Sequence, residues 1–369
     1  MINKDKLKGF FSGLIFTAVL GVSALGVTVL AAPIENKISV VYDNIKIYAD
    51  GVLTQPKDAN GKTIEPFISN GVTYLPVAAI SKILGKDVSW DGSTKSIYLG
   101  KKPDVKAEEV AVSNAEELFA ALGSNKHIKL KPGIYNISDL KQGYSESKNI
   151  YWTEVFDGNE LILDEIYNLT LEGIGDKPVE IVVEPRYADV LTFINCRKIS
   201  VKNIKAGHTI EKGECVGGVL NFDSSKDIDI SNSIFYGCGT YGIIAANTEN
   251  LKFINSIIEE CTNGAMTISD CKDFTFTNSI FRKCESSNLI NIYSSSNIVY
   301  DKCEISENEA LSKDTVILGV NLSSGIKFTN CKFKDNKLFS FDQNTTSDID
   351  FTGTTFDGNS FDDLLNFGK

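Results

Sequence analysis

The chain has 369 residues, 42% of them hydrophobic, and a formal net charge of −11. Such a composition can bury a large core and excludes a compositionally disordered chain, and its acidic balance speaks against nucleic acid as a partner, which needs a basic face. Arg occurs only at 186, 197 and 282 and His only at 127 and 208, which removes most transition-metal and general-base chemistry.

At the N-terminus, Lys4, Lys6 and Lys8 precede the uncharged run FFSGLIFTAVLGVSALGVTVLAA at 10–32, with Ala31 and Ala32 standing before PIENK. Residues 1–32 therefore read as an export signal, cleaved as a signal peptide or kept as an N-terminal anchor, because the run is just long enough to span a bilayer. In both cases the rest of the chain is expected outside the cytoplasm, secreted or associated with the cell envelope, and touching membrane only through this segment.

Short β-rich runs alternate in ISVVYDNIKIYADG at 38–51, and Asp50-Gly51 turns the chain. Asn70-Gly71 is a hairpin signal. VAAISKILG has helical spacing and ends at Gly85, while VSWDGSTKSIYLG is a strand, an Asp91-Gly92 turn and a second strand. Residues 38–100 are thus expected to form a small α+β module, and the charged KKPDVKAEEVAV, without apolar periodicity, supplies a linker over 101–111.

IKIYADG, DANGKTIEPFISNGVTYLPVAAI, Leu84-Gly85 and VSWDG together resemble the copper amine oxidase N-terminal-like (stalk) domain of Gram-positive secreted proteins. Ala78 stands where that family usually has Arg. The resemblance implies an envelope address and a non-catalytic appendage. The segment has no His and no Cys, so no copper site is expected.

Further on, NSIFYGC at 232–238, NSIIEEC at 255–261 and NSIFRKC at 278–284 repeat one phrase. The apolar residues Leu169, Ile199, Ile228, Leu251, Phe274, Ile298, Ile326 and Ile349 open successive repeats, at steps of 23 to 30 residues. IDIS, LKFI, FTFT and IKFT alternate with period two, which excludes helical repeats, and LxxLxL is absent. The fold expected is mainly β: a right-handed parallel β-helix over 112–369, its coils stacked about 4.8 Å apart. AEELFAALG, ending at Gly123, is expected to cap its open end, and HIKLKPGIYNI to begin its first coil.

Stacking brings like residues into columns. Asn203, Asn232, Asn255, Asn278 and Asn330 are expected to form a structural ladder of amides. Cys238, Cys261 and Cys284 fall in an inward column that Asn308, Asn336 and Asn359 continue. All eight cysteines lie between 196 and 331 without CxxC spacing, so they read as free buried thiols, not as a zinc site or a disulfide framework.

LKPGIYNI, the Asn column and the coil spacing resemble the pectate-lyase-like right-handed β-helix superfamily, including its generic repeat branch. That resemblance implies action on acidic polysaccharides in a lateral groove, with Asp clusters holding Ca²⁺ and Arg or Lys as base. No lyase or glycosidase motif is present, so catalytic residues stay unassigned. No cofactor is predicted, and Ca²⁺ stays open without a motif behind it.

Inserts in a regular solenoid are where function is grafted. GHTIEKGECVGG at 207–218 lengthens one coil and holds His208, Glu211 and Glu214. YGCGTYGI adds Tyr236 and Tyr241, the insert at 143–160 adds Trp152, and VVEPRYADV adds Arg186 beside Glu184 and Asp189. These are the candidate carbohydrate-binding residues, against the plainer readings of His208 as a turn residue satisfied by backbone and of the aromatics as packing. The function expected is an exported cell-envelope β-helix protein that binds or processes a polysaccharide or cell-wall polymer, as a polysaccharide lyase or glycoside hydrolase if it is an enzyme. The alternative is a non-catalytic structural or adhesive solenoid.

Overall fold

The structure, a computed structural model, describes residues 37–361 apart from 50, 59–60, 92–95, 102–105, 141–146, 210–215, 238, 287, 311–314, 339 and 343–348. The export signal read at 1–32 lies outside these residues. Among the described residues no helix is long and apolar enough to cross a membrane. The chain divides into two compact units, with the division between residues 89 and 102.

In the first unit, strands Phe67–Ser69 and Val72–Tyr74 pair antiparallel. Asn70 (φ 50°) and Gly71 (φ 77°) both take left-handed backbone, as a two-residue primed turn between twisted strands requires. Helix Val77–Ile83 follows, with Gly85 at φ 61° past its end. A second hairpin joins Ile47–Ala49 to Val52–Thr54.

The second unit is a solenoid of three nine-stranded sheets. One coil runs through Lys226–Ser231 in the first sheet, Ile234–Tyr236 in the second and Tyr241–Ala246 in the third. The next coil repeats this with Glu249–Ile254, Ile257–Glu259 and Gly264–Ser269, each strand parallel to its predecessor. The register sets Leu169 on Ile199, Ile199 on Ile228, Ile228 on Leu251 and Leu251 on Phe274. The strand Glu108–Val112 already pairs with Lys126–Leu130 of the first sheet, so the solenoid starts inside the segment read as linker. The reason lies in EEVAV, whose alternation turns Val110 and Val112 to one side and Val112 into the core.

Inward residues of the alternating strands make a continuous apolar core. Ring columns run through it: Tyr300 stacks on Phe276 at 4.6 Å and on Phe328 at 4.3 Å between ring centres. Each fully buried ring of this kind contributes about 1.5–3 kcal/mol. Helix Ala115–Ala121, N-capped by the side chain of Asn114, buries Leu118 and Phe119 against the start of the solenoid.

Most corners are a left-handed residue followed by a small inward one, as in Asn232-Ser233, Asn247-Thr248 and Lys283-Cys284. Asn203, Asn232, Asn255, Asn278 and Asn330 are these left-handed residues between the first and second sheets, at φ 49–54°. They are exposed, not buried amides. Asn is found there because it accepts positive φ at less cost than other residues with a Cβ. Their side-chain links are long: Asn255 Nδ2 donates to Asn232 Oδ1 at 3.4 Å, Asn203 Nδ2 to the Gly173 carbonyl at 3.3 Å, and Asn330 Nδ2 to Asp301 Oδ1 at 3.3 Å. The buried ladder is one residue further on, where the Ser233 amide donates to Ser256 Oγ at 3.1 Å and that of Ser256 to Ser279 Oγ at 3.2 Å.

At the corner between the second and third sheets the inward column is Cys261, Cys284, Asn308, Asn336 and Asn359. Here the amides do stack: Asn308 Nδ2 on Asn336 Oδ1 and Asn336 Nδ2 on Asn359 Oδ1, both at 2.8 Å. Cys196, Cys261, Cys271, Cys284, Cys303 and Cys331 are buried, and Cys196, Cys271, Cys303 and Cys331 are free thiols. Cys238 lies outside the described residues.

Candidate functional site

The corner between the second and third sheets takes up most of the length variation. Gly207, Tyr236, Glu259 and Arg282 are stacked in the second sheet, and Asp223, Ala246, Ser269 and Tyr293 in the third. The path from Gly207 to Asp223 is longer than that from Tyr236 to Ala246, and so is the path from Ser306 to Asn321. The earliest coils carry inserts at the same corner: the hairpin Ile150–Val155/Gly158–Asp164, and the segment 184–190.

Between hairpin and corner lies a cavity of about 400 Å³, lined among others by Ser138, Trp152, Asp157, Asn159, Glu184 and Pro185. Trp152 reaches it from the hairpin, where it pairs across with Leu161. One side of the indole stacks on Phe119, 5.9 Å between ring centres. Its Nε1–H is buried without a hydrogen-bond partner, and an unsatisfied buried donor is costly to keep. Asp157 ties the corner to the hairpin by accepting the Arg186 amide at 2.6 Å and the Tyr187 amide at 3.2 Å. Gly158 has no side chain because Pro185 sits there: a Cβ would stand 2.6 Å from its Cγ. Glu184 donates its amide to Ser138 Oγ at 2.8 Å, and its Oε1 accepts from Asn136 Nδ2 at 3.0 Å. At the hairpin tip Phe156 is 86% exposed, its ring 5.0 Å from that of Tyr187.

Next to this cavity in the chain is a pair of carboxyl groups. Thr192 Oγ1 donates to Glu160 Oε1 at 2.6 Å. Asp189, buried, accepts from Asn221 Nδ2 at 2.7 Å and from the Gly218 amide. Burial first, and then the negative charge of Asp189, push the Glu160 carboxyl up to about 7. Burial likewise raises that of Asp189, against the hydrogen bonds that favour its ionised form.

His208 is 4% exposed, so it is a buried residue and not part of an open loop. Its Nε2 lies 2.9 Å from the Ala188 carbonyl, a distance that places the proton on Nε2 as donor. Nδ1 is then an acceptor, buried and without a partner. Desolvation lowers the imidazole below its usual range and keeps it neutral. Gly217 packs on the Ala188 backbone, where no side chain would fit.

The other candidate residues are dispersed. Tyr236, on the second sheet, donates its hydroxyl to Glu180 Oε1 at 2.6 Å and has Lys205 Nζ 4.0 Å above its ring. The Tyr241 hydroxyl accepts from Asn263 Nδ2 at 3.1 Å. The Arg186 carbonyl accepts the amides of Val216 and Gly217. Glu211 and Glu214 lie outside the described residues. Of the candidates, Trp152 alone is among the named lining residues, and Arg186 is joined to that wall through its amide. Phe156, Asp157, Asn159 and Tyr187 were not singled out from the sequence. The signal for the first three was present, since Asp157-Gly158 between alternating IYWTEV and NELILD is a hairpin signature. Among the described residues no group of three or more His, Cys, Asp or Glu side chains is placed to hold a metal ion.

Residues 217–368 match the right handed beta helix region family, and residues 23–99 and 58–115 match the copper amine oxidase N-terminal domain family. The chain thus carries a segment that matches the copper amine oxidase N-terminal domain and, after it, a right-handed β-helix. The β-helix is similar to a candidate glycosyl hydrolase from Parabacteroides merdae, with 10% identity, TM-score 0.37, and coverage of 53% of this chain and 97% of that one. It is similar also to PfbA, a surface adhesin of Streptococcus pneumoniae, at 12% identity, TM-score 0.32, and coverage of 69% and 72%. A third similar structure is the A-module of the mannuronan C-5 epimerase AlgE4 of Azotobacter vinelandii, at 14% identity, TM-score 0.16, and coverage of 67% and 87%. No curated protein matches the chain in sequence.

Proposed function

We propose that this is an exported cell-envelope β-helix protein that binds carbohydrate in the cavity beside Trp152. One observation carries the reading. A single cavity combines an indole whose N–H lacks a partner with the hydrogen-bonding side chains of Ser138, Asp157, Asn159 and Glu184. A sugar ring offers an apolar face for an aromatic ring and hydroxyls that both donate and accept, which is the complement of that lining. Phe156 and Tyr187 extend the aromatic surface at the hairpin tip. The export part rests on the charged and apolar pattern of residues 1–32.

A second reading, processing of the glycan, has Glu160 in its favour. Its carboxyl keeps a proton to near neutral pH, as a general acid must.

The test is retention of the purified protein on envelope and plant polysaccharides, scored together with the release of new reducing or unsaturated ends. Trp152→Ala and Asn159→Ala are expected to abolish or sharply reduce retention. Retention unchanged in both, with the variants folded, would return the protein to a structural or adhesive solenoid. Release of new ends that stops in Glu160→Gln would favour processing.

A further inference from the structure

We infer that the cavity selects sugars carrying a free amino group and disfavours uronates. This rests on the carbohydrate reading above and adds the charge of the ligand. Two carboxylates, Asp157 and Glu184, line the cavity, and none of its named lining residues is Lys, Arg or His.

Neither carboxylate is neutralised. Asp157 is held by two backbone amides, and Glu184 by the side-chain amide of Asn136. These are neutral donors that fix the oxygens. Among the described residues no Lys or Arg nitrogen forms an ion pair with either side chain. Asp139, bonded to the same Asn136 amide at 3.1 Å, adds a third carboxylate beside the wall. Arg186, which follows the lining residue Pro185, contributes its amide to the Asp157 contact and is not a named lining residue.

A cationic ligand group gains from this arrangement twice. An ammonium is attracted to these carboxylates, which stand exposed on the wall, so the attraction is screened by salt. It is attracted also to aromatic faces, and Trp152 in the lining supplies one. A uronate would bring its own carboxylate against Asp157 and Glu184, and the molecule's charge of −11 would slow its approach. The ligand class is therefore a glucosamine-type oligosaccharide with free amines.

The experiment compares three tetrasaccharides by titration calorimetry with the full protein: the β-1,4-glucosamine tetramer, its fully N-acetylated counterpart, and the galacturonate tetramer. The amine form is expected to bind at least about tenfold tighter than the N-acetyl form, with the uronate weakest, and the gap is expected to shrink at high salt. Glu184→Gln is expected to weaken the amine form several-fold more than the N-acetyl form. Raising the pH until the sugar amines lose their proton should do the same in the wild-type protein, so the result does not depend on how the variant folds. Uronate binding as tight as the amine, or equal affinities for the amine and N-acetyl forms, would overturn the charge selection and leave carbohydrate binding standing. No binding of any of the three, together with no retention on the polysaccharide panel, would overturn the carbohydrate reading itself.

Discussion

Asn308 and Asn336, on successive coils, are joined side chain to side chain: Asn308 Nδ2 donates to Asn336 Oδ1 at 2.8 Å, and both residues are fully buried. Asn336 passes the pattern on to Asn359 and also donates to the Ile305 carbonyl at 2.8 Å. The amides therefore satisfy one another, and the backbone, along an axis from which water is excluded.

Asn336→Ala removes the middle of that ladder and leaves the Asn308 side-chain amide and the Ile305 carbonyl short of partners, while Asn359 Oδ1 keeps the backbone amide of residue 336. The expected cost is about 1–3 kcal/mol for each group left unsatisfied, read by chemical denaturation. Asn255→Ala acts on an exposed corner at φ 50° and is expected to cost about 1–2 kcal/mol through backbone strain alone. Asn255→Gly should restore most of that loss, whereas Asn336→Gly should restore none. Equal behaviour of the two glycine variants would refute the distinction between corner and ladder.

His208→Ala is expected to destabilise the protein. It opens a cavity in a buried site and leaves the Ala188 carbonyl, now 2.9 Å from Nε2, without its donor. A loss of about 1–3 kcal/mol is expected in thermal or denaturant unfolding. An unchanged midpoint would mean that His208 is not packed as described.

The Glu160 carboxyl, raised to about 7, binds a proton more tightly in the folded state than in the unfolded chain. Its contribution to stability is therefore complete at low pH and is lost as pH rises from the ordinary Glu value toward 7. Asp189, also raised, acts in the same sense. His208, lowered by burial, acts in the opposite sense, and its effect ends near its unperturbed value of about 6.5. Glu160→Gln is accordingly expected to gain stability relative to wild type as pH is raised from 5 to 8, followed by unfolding midpoints across that range. A gain on acidification instead would contradict the buried, protonated carboxyl.

Burial pushes the Cys196 thiol up to about 12 and that of Cys271 up to about 11, and Cys261 and Cys284 are fully enclosed. The thiolate is the reactive form, so maleimide labelling at mildly alkaline pH should be slow in the native protein and fast in denaturant without reductant. Resistance in denaturant would reveal disulfides. Rapid native labelling of these four would show that the coils open.

The periodicity of the chain was enough to determine the architecture. Strict alternation in KDIDIS, ENLKFI and KDFTFT can bury only one face, and the constant step between them forces those faces onto one axis. The Asn column was legible as a column, but its role was not: a corner residue with positive φ and a buried amide ladder both select Asn. A further left-handed column, Asn168, Asp227, Asn250, Asp273 and Asn297, precedes five of the eight opening apolar residues and could have been read the same way. Its side chains hydrogen-bond along the surface, Asn250 Nδ2 to Asp227 Oδ1 at 2.6 Å and Asn297 Nδ2 to Asp273 Oδ1 at 2.7 Å. What the tertiary structure alone decided is which inserts share a wall. Ser138 and Trp152 belong to the first coil and Glu184 to the next, and the stacking of these two coils brings them to one cavity, while Tyr236 and Tyr241, on strands of the second and third sheets, find partners elsewhere. Local pattern sets the conformation of each coil. The neighbours of a side chain across a corner depend on how inserts of unequal length fold back, and no periodicity constrains that.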